Sequence, residues 1–157
     1  MPASAALSGI WASRGAGQAA FVSASLSSNF VTAGKDGTAC LLGGKCAACG
    51  TAVFPKMPVC PSCLRNQTMR QIEMGRSGRL YSHTVARVAP KGFKAPFFQA
   101  FVDLAEGPRI FTLIGAQCRV EPGVLEDGME MRLVIEPLAD TPENRDVLTY
   151  KYVPAHA

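Results

Sequence analysis

The sequence lacks any run of apolar residues approaching the roughly 20 that a membrane-spanning helix needs, which excludes a helical membrane span. It also lacks a glycine-rich phosphate loop, and histidine is scarce, with only His83 and His156. Nucleophilic catalysis needs a base held beside the nucleophile, but His156 lies at the end of the chain and His83 is predicted to be a hydrogen-bonded strand residue. We therefore predict no catalytic residues, and we expect that this chain alone is not an enzyme.

Acidic residues are absent from residues 1–34, where Arg14 is the one basic residue. The segment is not a convincing signal peptide, and it has few basic residues for an organellar transit peptide, which is the alternative. Cys40 and Cys118 stand outside the cysteine motif described below, and we expect both to be reduced. These features together predict a cytoplasmic protein.

Acidic residues are also rare in the first two-thirds of the chain. Residues 1–102 contain 11 Lys or Arg against only Asp36 and Glu73, whereas residues 103–157 contain 5 basic and 10 acidic residues. This uneven distribution indicates that the basic portion meets an anionic partner or ligand.

Cysteine is the most informative residue type in this sequence. Four of the six cysteines form the pattern C-x2-C-x10-C-x2-C, in which each pair can fold as a knuckle that points two thiolates at one ion. Four thiolates complete a tetrahedral site that suits zinc or a single iron, and they leave no open position for a substrate. The alternatives are two disulfides or four unrelated buried thiols. We predict a structural Zn2+ site whose ligands are Cys46, Cys49, Cys60 and Cys63.

The two predicted knuckles differ at the residue that follows each pair. Gly50 follows the first pair, where a residue without a Cβ relieves a tight turn. Leu64 stands at the corresponding position of the second pair, so that knuckle is expected to be less ideal.

Composition and patterning divide the chain into three parts. Residues 1–39 form an amino-terminal arm, for which we favour docking on another surface over a disordered leader. Residues 40–74 form the zinc ribbon, and residues 75–157 form a barrel domain. The segment Gly75-Arg-Ser-Gly78 is predicted to be a linker between ribbon and barrel.

Five short strands are predicted after the ribbon, which makes the chain mainly β. A hairpin turn at residues 105–108 joins the second and third of them. In the first strand, Leu80, Ser82 and Thr84 are predicted to share one side. Five antiparallel strands of this length indicate a closed OB-fold-like barrel, with an open sandwich as the alternative. The predicted strands are residues 79–88, 97–104, 109–117, 129–136 and 147–153.

The connection between the first two barrel strands interleaves cations with aromatic residues, a combination that can hold phosphates and stack on a base. Coenzyme A or single-stranded nucleic acid would fit it. The alternative is that Phe97 and Phe98 begin a core strand and the lysines only keep the loop soluble. The candidate CoA contacts are Arg87, Lys91, Phe93 and Lys94.

The order of these elements resembles a prokaryotic family that joins a rubredoxin-like zinc ribbon to an OB-fold. The resemblance covers about residues 40–137 and rests on CAACG, FPKMPVCPSC, GRSGRLYSHTV and PFFQAFVDLAEGPRIFTLI. It implies a small, non-catalytic subunit that forms a hetero-oligomer with a thiolase-fold, CoA-dependent catalytic subunit, with CoA at their interface. The usual aromatic-rich lead before the ribbon is absent, since Trp11 lies far upstream.

Two other functions fit parts of the same pattern. A nucleic-acid-binding module would use a basic ribbon and exposed aromatics on the barrel, but the basic residues are dispersed and the carboxyl-terminal part is acidic. An electron-transfer protein would hold iron in place of zinc, but it would leave the barrel without a role.

Overall fold

The computed structural model describes residues 31–33, 38–142, 145 and 147–156. These residues form nine strands and no helix, so no helix among them is long or apolar enough to cross a membrane. The mainly β prediction is confirmed. The strands are β1 (Val31–Ala33), β2 (Ala39–Cys46), β3 (Ala52–Val53), β4 (Met69–Met74), β5 (Ser77–Ala86), β6 (Phe97–Leu104), β7 (Arg109–Ile114), β8 (Glu130–Pro137) and β9 (Leu148–Pro154).

The ribbon is a small antiparallel sheet built around β2, which pairs with β1, β3 and β4. Cys46 ends β2 opposite Met69 at the start of β4, so the strand pairing delivers the first cysteine to the end of the sheet. Val31 pairs with Leu41, and both are buried. Residues 1–30 and 34–37 of the predicted arm lie outside the described residues.

The remaining five strands close into a barrel in the order β5-β6-β7-β9-β8, with β8 pairing back to β5. All the pairs are antiparallel except β7 with β9, which is parallel. A closed five-stranded barrel agrees with the OB-fold prediction and excludes the open sandwich. The hairpin turn between β6 and β7 is also confirmed, because the Gly107 amide donates to the Leu104 carbonyl at 3.0 Å.

The predicted face of β5 is wrong beyond Leu80. Leu80 pairs with Val102 and Ser82 with Phe101, so Tyr81 is an extra residue in a β-bulge. A bulge shifts the alternation by one residue. His83 and Val85 therefore lie opposite the buried residues Ala100 and Phe98, while Ser82 faces outward with Phe101.

The junction between ribbon and barrel is shorter than the predicted linker, because Ser77 and Gly78 already belong to β5. Gly75 has a φ of +75°, and a Cβ there would lie 2.7 Å from Leu41 Cδ1 and 2.8 Å from the Tyr152 hydroxyl. Buried ribbon residues such as Leu41 and Met74 belong to the same apolar core as Leu80 and Tyr152. Ribbon and barrel therefore pack as one body with a continuous core.

Candidate metal centre and barrel clefts

The two knuckles have the same backbone geometry despite their different sequences. In the first, the Cys46 amide donates to the Thr51 carbonyl and the Gly50 amide donates to the Cys46 carbonyl, both at 2.9 Å. In the second, the Cys60 amide donates to the Arg65 carbonyl at 3.2 Å and the Leu64 amide to the Cys60 carbonyl at 2.9 Å.

Both residues that close the knuckles have left-handed backbone conformations. The φ of Gly50 is +78°, and the φ of Leu64 is +58°. An L-residue with a Cβ adopts this region at a cost of roughly 1–2 kcal/mol. The second knuckle is therefore less ideal in energy, as the sequence predicts, but its shape is unchanged.

The knuckles bring the four predicted ligands together. The Sγ atoms of Cys46 and Cys63 are 3.7 Å apart, those of Cys49 and Cys60 are 3.6 Å apart, and all four lie within 4.8 Å of one another. A disulfide would need about 2.05 Å, and all four cysteines are free. Zn–S bonds of about 2.3 Å in a tetrahedron give sulfur–sulfur edges of roughly 3.8 Å. The spacing therefore fits one tetrahedral metal ion.

Hydrogen bonds prepare two of these sulfurs for metal binding. The Thr68 hydroxyl oxygen lies 3.3 Å from Cys46 Sγ, and this hydrogen bond lowers the pKa of Cys46 to about 6. The Thr51 hydroxyl oxygen lies 3.2 Å from Cys49 Sγ and likewise lowers the pKa of that thiol. Because a metal ion binds the thiolate, both hydrogen bonds favour the metal-bound form.

Cys63 behaves in the opposite way. The backbone amide of Arg65 acts to lower its pKa, but burial and the hydrogen bonds from the other three sulfurs outweigh that effect and raise the pKa to about 11. Four thiols this close cannot all ionise without a cation between them. The cluster is therefore arranged for a bound metal rather than for free thiolates.

The remaining two cysteines lie outside this cluster. Cys40 is fully buried in β2, and burial raises the pKa of its thiol. Burial also raises the pKa of the half-buried Cys118. Both are free thiols, as the sequence predicts, and their protonated state makes them poor nucleophiles.

The cation-and-aromatic loop between β5 and β6 borders an open cleft of about 300 Å³. Phe93 and Lys94 line this cleft, and the ring of Phe93 packs 5.9 Å from that of Phe97. The Thr141 hydroxyl fixes the loop by donating to the Gly92 carbonyl at 2.7 Å. Phe98 is buried in the barrel core, as the solubilising alternative requires, but Phe97 and Phe98 both line the cleft.

Arg87 and Lys91 do not join Phe93 and Lys94 at that cleft. Arg87 lines a neighbouring cleft of about 190 Å³ together with His83, while Lys91 is exposed and lines neither. His83 Nδ1 lies 3.2 Å from an Asp127 carboxylate oxygen, which agrees with a hydrogen-bonded strand residue. Among the described residues that line this second cleft, none carries a hydroxyl or a thiol.

Sequence reasoning missed Lys151, a buried cation that also lines the larger cleft. Its Nζ lies 3.8 Å from a Glu136 carboxylate oxygen; burial lowers the pKa of Lys151, and the Glu136 charge acts in the opposite direction. Alternation along β9 could not reveal this position, because Lys151 through Pro154 are all buried.

Sequence reasoning also missed an aromatic patch on the outside of the barrel. Phe101 and Phe111 lie directly opposite each other on β6 and β7, with ring centroids 5.6 Å apart, and both are exposed. Exposed Tyr81 lies near them at the β5 bulge, with the Arg109 guanidinium 3.1 Å above its ring. Alternation along β6 and β7 places Phe101 and Phe111 on the same face of the sheet. It does not say whether that face points into the barrel or out to solvent.

These features define a class of protein, a metal-binding cysteine ribbon packed on an OB-fold barrel. Residues 41–70 match the family described as "ChsH2, rubredoxin-like zinc ribbon domain", and residues 71–136 match that described as "ChsH2, C-terminal OB-fold domain". The chain belongs to this zinc-ribbon and OB-fold family, so the resemblance in the sequence is confirmed.

Several named proteins are similar to most of this chain. A "DUF35 domain-containing scaffold protein" of Methanocaldococcus jannaschii is 35% identical over 115 residues, which cover 72% of this chain and 79% of that protein. "Benzoylsuccinyl-CoA thiolase subunit BbsA" of Thauera aromatica is 31% identical over 112 residues, covering 71% of this chain and 74% of that protein. The solved structure named "Ltp2-ChsH2(DUF35) aldolase" superposes with a TM-score of 0.57 and 31% identity, covering 74% of this chain and 85% of that chain.

Proposed function

We propose that this chain is the non-catalytic, zinc-containing subunit of a CoA-dependent, thiolase-type acyltransferase complex in the cytoplasm. The four-sulfur cluster carries the proposal. Four protein thiolates would fill a tetrahedral shell, so the ion would have no position for a substrate and would act by stabilising the ribbon. Relatives named as a scaffold protein and as a thiolase subunit support a partnership with a catalytic chain.

Zinc is the ion that we propose for the site, with Cys46, Cys49, Cys60 and Cys63 as its ligands. The same sulfur geometry would also hold a single iron. Metal analysis of the purified protein separates the two, because a ferric thiolate site is coloured and a zinc site is not. One zinc per chain is the expected result.

The partner that we propose is a thiolase-fold catalytic subunit, which would supply the nucleophile and the base. Burial raises the pKa of the Cys40 and Cys118 thiols, which makes both poorly suited to nucleophilic attack. The described residues that line the cleft beside His83 include no hydroxyl and no thiol. The acyl substrate would be selected by the catalytic subunit.

CoA is proposed to pass along the larger cleft, at the interface between the two chains. Phe93 and Phe97 give the cleft an apolar wall, and Lys94 at its rim can meet a phosphate. Arg87 in the adjoining cleft could meet a second phosphate, whereas the position of Lys91 favours a solubilising role.

Co-expression with a thiolase-like catalytic chain from the same organism tests the proposal. We expect the two proteins to elute as one complex, and the catalytic chain alone to have reduced activity. The Cys60→Ser variant serves as the matched control, since it should lose zinc and the complex together. Separate elution of both proteins, with full activity in the catalytic chain alone, would contradict the proposal.

Nucleic-acid binding is a second candidate function. Exposed aromatic residues on the second and third strands of an OB-fold commonly stack on bases. Phe101 and Phe111 are exposed on β6 and β7, the second and third strands of this barrel. A binding constant that falls steeply with salt concentration would support this candidate.

A further inference from the structure

The outer surface of β5, β6 and β7 carries an aromatic patch, which we define as Tyr81, Phe101 and Phe111. These side chains are 51%, 45% and 51% exposed, although large aromatic side chains are usually buried in a protein core. Phe101 and Phe111 form a directly opposed cross-strand pair, so their rings lie on one surface. Clustered exposed apolar side chains on a small soluble barrel mark an interaction site more often than scattered ones do.

Arg109 is held rigidly at one end of this patch. Its Nε lies 2.6 Å from Asp103 Oδ1, its second guanidinium nitrogen lies 3.0 Å from Oδ2, and its plane stacks on Tyr81. The Arg109 guanidinium is thus already paired with the Asp103 carboxylate. Tyrosine, phenylalanine and arginine fixed in this way have little conformational entropy to lose on binding, and they are enriched at the centres of protein interfaces.

Charge decides which class of partner fits. The outward Arg79 lies opposite Asp103 on one side and Glu130 on the other, and Arg109 is paired with Asp103. Two cations and two carboxylates therefore balance around the patch. A polyanion such as nucleic acid would be repelled by Asp103 and Glu130, and Arg109 is already paired with Asp103. An uncharged apolar protein surface would meet no such repulsion.

The patch continues into the larger cleft. Beyond the Phe101–Phe111 pair, the next outward positions on β6 and β7 are Gln99 and Leu113, which also lie opposite each other. Leu113 and Phe97 then line the cleft that is proposed for CoA. A protein seated on the patch would therefore also cover the rim of that cleft.

We propose that the aromatic patch of Tyr81, Phe101 and Phe111 is the docking surface for an uncharged, apolar surface of the catalytic subunit. This inference rests on the proposed function and adds to it the face of the barrel that binds the partner. Docking at this position places the Lys94 rim at the boundary between the chains, where a CoA ester could contact both.

The test uses the full-length chain and its catalytic partner, with affinity measured by interferometry. The double variant Phe101→Ser/Phe111→Ser should weaken the complex about tenfold or more, because aromatic anchors at interface centres dominate binding. Phe111→Tyr, which keeps the ring, should bind almost as the wild type does. Val147→Ser is the matched control, since Val147 is 45% exposed but lies outside the patch, and it should have no effect.

The outcomes separate the inference from the proposed function. If the double variant keeps its zinc and its melting temperature but binds the catalytic subunit as tightly as the wild type, the inference is wrong and the function stands. If the wild-type chain itself fails to bind, both are wrong. Loss of self-association, or loss of binding to a mixed-sequence single-stranded oligonucleotide, without any change in binding to the catalytic subunit would assign the patch to a second copy or to nucleic acid.

Discussion

The Tyr152 hydroxyl, on the last strand of the barrel, donates a hydrogen bond to the backbone carbonyl of Gly75, which follows the last ribbon strand. The Gly75 amide donates in turn to a Glu106 carboxylate oxygen at 3.2 Å. Tyr152 is fully buried, so its hydroxyl has no access to water as an alternative partner. The barrel therefore holds the ribbon through the backbone of Gly75 as well as through the apolar core that the two parts share.

Replacing Tyr152 with phenylalanine should lower the free energy of unfolding by about 1–3 kcal/mol, because the Gly75 carbonyl would be left buried without its partner. Urea titration of the zinc-loaded protein measures this change. Tyr150→Phe is the control, since the Tyr150 hydroxyl makes only a long, exposed contact of 3.5 Å with the Phe111 carbonyl. Equal effects in the two variants would contradict the role given to Tyr152.

Alkaline pH should act on the same hydrogen bond. Burial raises the pKa of Tyr152, with smaller contributions from the charges of Glu106 and Tyr150. The folded protein therefore keeps a proton that the unfolded chain loses near pH 10, so this contribution to stability is complete below about pH 10 and is lost as the pH rises further. We expect the stability difference between wild type and Tyr152→Phe to shrink above about pH 10. A difference that is constant from neutral to alkaline pH would refute this.

Leu64 and Gly50 make a matched pair for testing backbone strain in the knuckles. Leu64→Gly should stabilise the zinc-loaded protein by about 0.5–1 kcal/mol, since relief of the left-handed strain exceeds the added entropy of the unfolded chain. Gly50→Ala should destabilise it by about 1 kcal/mol, although a Cβ there would meet no atom within 4 Å. Thermal unfolding measures both, and two changes of the same sign would be inconsistent with the strain argument.

Removal of one metal ligand should unfold the ribbon. Cys60→Ser is expected to lose its zinc and to expose the apolar core that the ribbon shares with the barrel, because metal binding supplies most of the folding free energy of so small a unit. Metal analysis and near-ultraviolet circular dichroism report the two effects. Cys118→Ser, outside the cluster, should keep one zinc per chain. A Cys60→Ser protein that stays fully folded would show that the site is dispensable.

Two lysines of the same loop should differ in their effect on the assembled enzyme. Lys94→Ala should raise the KM for the CoA ester about threefold, since one exposed phosphate contact contributes under 1 kcal/mol. Lys91→Ala should leave the KM unchanged, because Lys91 lines neither cleft. Steady-state kinetics of the purified complex provide the measurement. If both variants have the same kinetics as the wild type, the loop lysines do not contact CoA and only keep the loop soluble.

Local features were predictable from the sequence. The knuckles depend on residues within a few positions of each other, so the spacing of Cys46 and Cys49 was enough to predict their shape. The hairpin at Gly107 and the strands on either side of it follow from turn chemistry and from alternation in the same way. The division into an arm (residues 1–39), a ribbon (40–74) and a barrel (75–157) stays a prediction.

Features that depend on contacts between distant residues were not predictable. The bulge at Tyr81 reverses the inward face of β5, and no local signal announces it, because the bulge is defined by the pairing with Phe101 on another strand. Gly75 looks like part of a linker in the sequence, but Leu41 and the Tyr152 hydroxyl lie so close to it that an added Cβ would meet both.

The sequence by itself determined that four cysteines brace a ribbon and that a five-stranded barrel follows, because short-range spacing and alternation encode both. Only the tertiary structure decided that the ribbon is locked to the barrel, that Lys151 is buried at a cleft, and that Phe101 and Phe111 share one exposed surface. The physical reason is that barrel closure sets which side of every strand faces the core, and closure depends on the pairing of residues far apart in the chain.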